Sequence, residues 1–88
     1  MAKIIRVNGQ TEEVEPADGK VFSLKEMQEI VGGWIEIIYL RDCRVVVVNE
    51  EGRIRGLQHN ESASQITVGQ VFGNIVGDAL VCSKLQLK

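Results

Sequence analysis

Val45–Val48, four β-branched residues in a row, constrains this chain more than any other stretch. Valine favours strands because its branched side chain is stiff in a helix and packs well on a pleated surface. Successive strand residues point to opposite faces, so four valines leave no face for water and the strand must be covered on both sides. The run lies within Val31–Gly52, VGGWIEIIYLRDCRVVVVNEEG. That stretch reads as a β-hairpin at the centre of one small core: an apolar strand at Trp34–Leu40, a charged turn at Arg41–Arg44, the valines, and an acidic turn closed by Gly52. Ile35, Ile37 and Tyr39 share one face of the first strand; Trp34, Glu36, Ile38 and Leu40 share the other. Both faces are mostly apolar, which predicts a central position in the sheet.

Lys3–Val7 is rich in β-branched residues and is followed by Asn8-Gly9, a strong hairpin signal because both residues tolerate positive φ. Thr11–Glu15 returns as a polar strand at a sheet edge, ended by Pro16, which cannot donate to a ladder. Ser23 and Glu26 form a capping box that starts a helix, with Leu24, Met27 and Val31 as its apolar stripe. Phe22 is placed to staple against Met27, and Gly32-Gly33 stops the helix. Beyond the hairpin, Arg53–Gly56 is expected to add a brief strand with Ile54 inward. Asn60 is expected to cap a helical turn over Glu61–Gln65. Ile66–Val68 and Gln70–Phe72 are apolar pieces broken by Gly69; turns and a bulge are expected where glycine recurs at positions 69, 73 and 77. Asn74–Cys82 reads as a last strand or tight hairpin, which the alternating tail Ser83–Lys88 extends. The expected fold is α+β: a single domain over residues 1–88 whose small antiparallel or mixed sheet runs hairpin, helix, hairpin, C-terminal strands, with one main helix across a face.

The 88 residues are enough for one core with little room for a deep active site. A formal net charge of −2 gives no basic field for phosphate backbones, so nucleic acid is not the expected partner. No apolar run approaches the roughly 20 residues that cross a bilayer, and MAKIIRVNGQ lacks the apolar core of a signal peptide. Cys43 and Cys82 fit neither a disulfide framework nor a metal-ligand cluster; two reduced thiols in a cytoplasm are expected.

Catalytic groupings are hard to find. His59, the only histidine, stands in a polar loop beside Asn60 and Glu61, where adjacent residues rarely converge. Cys43 lies among Arg41, Asp42 and Arg44 with no histidine or second cysteine nearby in sequence, and reads as an inert turn thiol. Asn49-Glu50-Glu51 supplies too few oxygens for calcium. Gly69, Gly73 and Gly77 lack the lysine and Ser/Thr of a phosphate loop. Glu36 is the most informative carboxylate. It is either paired with Arg44 or Arg53 across the sheet, or exposed beside Trp34 as part of a recognition surface. No metal site and no cofactor are expected.

The order and spacing of several short motifs carry a resemblance. Leu24-Lys25-Glu26-Met27-Gln28-Glu29-Ile30-Val31-Gly32-Gly33-Trp34-Ile35-Glu36 is followed by Val48-Asn49-Glu50-Glu51-Gly52, then Leu57 and Asn60, then Ile75-Val76-Gly77-Asp78. Together they resemble a family of small domains of unknown function found in bacteriophage, plasmid and other mobile-element proteins. The match covers most of residues 20–82. It departs from the family near His59, where a proline tends to precede the asparagine. The resemblance implies a bacterial or phage-infected cytoplasm and brings no catalytic residue or cofactor. The leading expectation is a non-enzymatic binding module that engages a host protein or itself. A rival is a binder of a nucleotide-like signal, with Trp34, Glu36, Asn49 and Asn60 lining the site; an enzyme ranks last. Because one short helix covers only one face of the hairpin, a homodimer is expected with Trp34 or Ile38 near its centre.

Overall fold

A computed structural model describes residues 2–67 and 74–87. Its elements are β1 (Ala2–Ile5), β2 (Thr11–Val14), α1 (Leu24–Val31), β3 (Ile35–Tyr39), β4 (Arg44–Asn49), α2 (Glu61–Thr67) and β5 (Ala79–Ser83), followed by one 3-10 turn at Lys84–Gln86. The strands form one five-stranded sheet in the order β2-β1-β5-β4-β3. Each neighbouring pair is antiparallel. The fold is α+β, with α1 as its one main helix.

The strand periodicity divides the core into two layers. On the α1 face lie Ile4, Val45, Val47, Leu80 and Cys82, packed under Phe22, Met27 and Val31. On the opposite face lie Ile5, Ile38, Val46, Val48 and Val81, covered by Ala63 of α2 and by Ile75, with Ile66 against them. The four valines are thus covered on both sides, as their composition requires. Each buried side chain of this kind stabilises the fold by about 1.5–3 kcal/mol. The second face, expected to be covered only in part, is covered because the predicted turn after Asn60 is a real helix whose Ala63 and Ile66 pack with Ile75 over it.

Local capping fixes α1. The Glu26 N–H donates to Ser23 Oγ (3.1 Å), and the Ser23 N–H donates to Glu26 Oε1 (2.8 Å). The Ala17 N–H donates to Glu26 Oε2 (2.8 Å). The Ser23 and Ala17 amides hold the Glu26 carboxyl below its ordinary range. At the other end Gly32 takes φ 82°, and its N–H donates to Gln28 O. Met27 and Val31 are buried, but Leu24 is 49% exposed, so the stripe is narrower than expected.

Three further expectations change. Trp34–Leu40 was predicted to lie centrally, yet β3 is an edge strand, because β5 inserts between β1 and β4. Both its faces are apolar since layers on both sides of the sheet reach to its edge. Arg53–Gly56 forms turns rather than a strand, and Ile54 is 89% exposed. The tail does not extend β5: Ser83 and Gln86 make a second capping box that winds it into the 3-10 turn, and Leu87 then bridges Phe22 in parallel. Of the recurring glycines, Gly77 adopts φ 79°, while positions 69 and 73 lie outside the described residues, as do Val68 and Gln70–Phe72. No helix among the described residues is long and apolar enough to cross a membrane.

Candidate functional site

The α1–β3 joint is held from below by two side chains. Asn49 Nδ2 donates to Val31 O (3.1 Å), and Arg55 Nη1 donates to Gly32 O (2.9 Å). These carbonyls belong to the end of α1, where no further helical turn can satisfy them. Asn49 Oδ1 accepts from the Glu51 N–H (2.8 Å), and the Glu50 N–H donates to Trp34 O (2.8 Å). Gly33 has little room: a Cβ there would lie 3.0 Å from both Arg55 Nη1 and Asn49 Nδ2. The joint therefore lifts Trp34 onto the surface, where it is 61% exposed. Around the indole is a shallow saddle formed by Lys25, Gln28, Glu29, Glu51 and Arg55, an apolar platform within charges of both signs.

The outer edge of β3 continues from this saddle. The Glu50–Trp34 bond and the Leu40 N–H to Arg44 O bond (2.9 Å) bracket the β3–β4 ladder, with Glu36 opposite Val48 and Ile38 opposite Val46. Antiparallel ladders alternate, so Glu36 and Ile38 turn their backbone groups toward β4. Ile35, Ile37 and Tyr39 turn theirs away from the sheet. Ile35 and Ile37 are half-buried, and Tyr39 is 55% exposed. Glu26 and Ile30 line the α1 groove toward β1 and β2. Gln28 lies on the side of Trp34, and Leu24, one helical turn before it, shares that side of the helix. Trp34 and Tyr39 thus stand exposed at the two ends of the β3 edge.

A separate cleft of about 260 Å³ opens on the α2 side, lined by Glu36, Asn49, Glu50, Arg53 and Asn74, with Ile38 among its apolar walls. Its volume falls just below the roughly 300–1,000 Å³ of ordinary small-molecule sites.

A model of the family described as "Domain of unknown function (DUF3846)" matches residues 2–86. The chain belongs to this family. No curated protein and no solved structure matches it. The matched span takes in every strand and helix among the described residues, so the saddle, the β3 edge and the cleft all lie within the family domain.

The residues singled out from sequence divide accordingly. Trp34 is exposed beside the β3 edge, while Glu36 and Asn49 meet at the cleft. Asn49 is 4% exposed, and its amide is engaged in holding the joint. Asn60 does not join them. It is fully buried, with Nδ2 donating to Ile5 O and Gly77 O (2.9 Å each) and Oδ1 accepting from the Ala63 N–H (3.0 Å). That amide caps α2 and ties it to β1, which leaves it no role as a ligand contact. Ile38 is 5% exposed under the α2 layer and is corrected from interface residue to core residue.

Tyr39 and Arg55 were not singled out. Tyr39 carried a signal, as an aromatic at the end of a strand next to a charged turn. Arg55 carried none, since its partner carbonyl is 23 residues away. His59 Nε2 lies 3.1 Å from Glu61 Oε1 in an exposed pair. Cys43 is exposed, whereas Cys82 is buried and its thiol is pushed up to about 11 by desolvation. Cys82 is therefore a core residue rather than a nucleophile at neutral pH.

Proposed function

We propose that this domain is a non-enzymatic binding module that acts through protein–protein contacts, self-association included. The observation that carries this reading is the exposed Trp34 set within the charged saddle, with a second exposed aromatic, Tyr39, at the other end of β3. Tryptophan, tyrosine and arginine dominate the energetics of protein interfaces, because they bury a large area and also offer a polar group. Here an exposed indole sits beside Arg55, itself held by a helix-end carbonyl. The motif resemblance supports a phage or mobile-element setting, with a host protein of the bacterial cytoplasm as partner.

The cleft supports a second reading, capture of a small nucleotide-like ligand. Glu36 and Arg53 would provide opposite charges there, and Asn74 a polar rim. Native mass spectrometry of freshly purified protein separates the two, since a retained small mass favours the ligand.

The leading reading is tested by passing bacterial cytoplasmic extract over immobilised wild-type and Trp34→Ala domains in parallel. The side chain of Trp34 is largely exposed, so its removal leaves the fold intact. A specific partner should be retained by the wild type and bind Trp34→Ala at least roughly tenfold more weakly, as expected for a truncated hot spot. Retention that is equal on both surfaces would overturn the reading.

A further inference from the structure

We infer that the outer edge of β3 pairs antiparallel with β3 of a second copy, Ile37 facing Ile37 across a two-fold axis. This rests on the reading of the domain as a protein-contact module and names the partner for the β3 edge.

The two edges of the sheet are chemically unlike. β2 is Thr11-Glu12-Glu13-Val14, with Glu15 and Pro16 directly after it. Charge and proline are the ordinary means of keeping an edge from pairing. β3 has neither at its outward positions, which are Ile35, Ile37 and Tyr39. It carries one charge, Glu36, whose backbone faces β4.

Charge and symmetry select the second copy as occupant. In the two-fold register Ile35 lies opposite Tyr39, Ile37 opposite itself and Tyr39 opposite Ile35, so each outward N–H and C=O of these residues finds a partner. The side chains facing one another are β-branched and aromatic, a favourable cross-strand combination. Glu36 falls opposite Ile38 of the other copy, so no like charges meet. Two β2 edges brought together would instead crowd Glu12 and Glu13 against their equivalents. Pairing β3 with β2 of another copy would be head-to-tail and give a ring or an open fibre, whereas β3 with β3 closes after two copies. The short edge alone buries little surface, so the exposed aromatic side chains Trp34 and Tyr39 at its ends contribute much of the contact, and the dimer is a dissociable one.

Sedimentation equilibrium over a wide concentration range tests this on the wild type, Tyr39→Lys and Ile37→Pro. Tyr39→Lys puts an ammonium where Ile35 of the other copy would sit, and acts on a side chain that is 55% exposed. Ile37→Pro removes an outward N–H and no bond to β4, a placement that edge strands tolerate. Circular dichroism confirms that each variant is folded. The expected result is a wild-type monomer–dimer equilibrium above the 9.8 kDa chain mass, weakened roughly tenfold or more in both folded variants. A wild type that stays at 9.8 kDa throughout, or a dimer that both folded variants retain, overturns the inference. The host-partner part of the module reading fails separately: it falls if capture from extract does not depend on Trp34, whereas the self-association part stands or falls with the dimer.

Discussion

Asn60→Leu should cost at least about 3 kcal/mol of folding stability, read as a lowered urea midpoint at unchanged slope. The substitution removes the acceptor for the Ala63 N–H and both donors, to Ile5 O and Gly77 O, all in a fully buried setting. Each buried polar group left without a partner costs about 1–3 kcal/mol, and a domain of this size has only about 5–15 kcal/mol in total. Asn60→Asp makes a sharper companion. It keeps the cap on Ala63 but turns a carboxylate toward two carbonyl oxygens. Burial and those oxygens raise its folded pKa above the unfolded value, so its deficit should shrink as pH falls and the protonated form can donate. If Asn60→Leu unfolds within about 1 kcal/mol of wild type, the amide is not the tie between α2 and β1.

Phe22→Ala is the second large effect, about 3–5 kcal/mol by the cost of emptying an aromatic site in a packed core. Phe22 is 1% exposed and lies in the α1-side layer with Met27, Val31 and Leu80. Its N–H also donates to Gln86 O (2.7 Å), and it bridges Leu87. The cavity should therefore loosen the C-terminal turn as well as the core, so the Leu87 amide should exchange faster even where the rest of the domain stays folded. Phe22→Leu, which keeps most of the volume, should cost clearly less. Equal stability of Phe22→Ala and wild type in urea would mean that the α1 face is packed differently.

What the sequence made legible is what neighbouring residues decide among themselves. The Ser23–Glu26 box, the Gly32 stop, the Asn8-Gly9 turn and the cap at Asn60 all have their partners within one helical or hairpin turn. The four valines stated that both faces of their strand are covered. They could not state which strand lies beside which. Apolar residues on both faces of β3 report layers above and below it, and such layers cover an edge strand as readily as a central one. The tail misled for a related reason: Leu85 and Leu87 alternate like a strand, but Ser83 and Gln86 cap one another and win locally. Asn60 shows the limit most clearly. Its capping role was legible, but its bond to Ile5 O spans 55 residues and converts an apparent ligand contact into a buried strut. For the candidate site, Trp34 was legible as an aromatic next to a glycine pair. Its exposure depends on Asn49 and Arg55, which reach the helix end from later in the chain.

The β3 edge, unpaired in the single chain, is proposed to meet a second copy of this domain. Amide hydrogen exchange, followed residue by residue along Ile35–Leu40 at low and high protein concentration, tests it most directly. In dilute solution Glu36, Ile38 and Leu40, turned toward β4, should be protected while Ile35, Ile37 and Tyr39 exchange quickly. Raising the concentration should bring protection to those three and leave the others unchanged. Protection of Ile35, Ile37 and Tyr39 already in dilute solution, or fast exchange of all three at every concentration, would contradict the account.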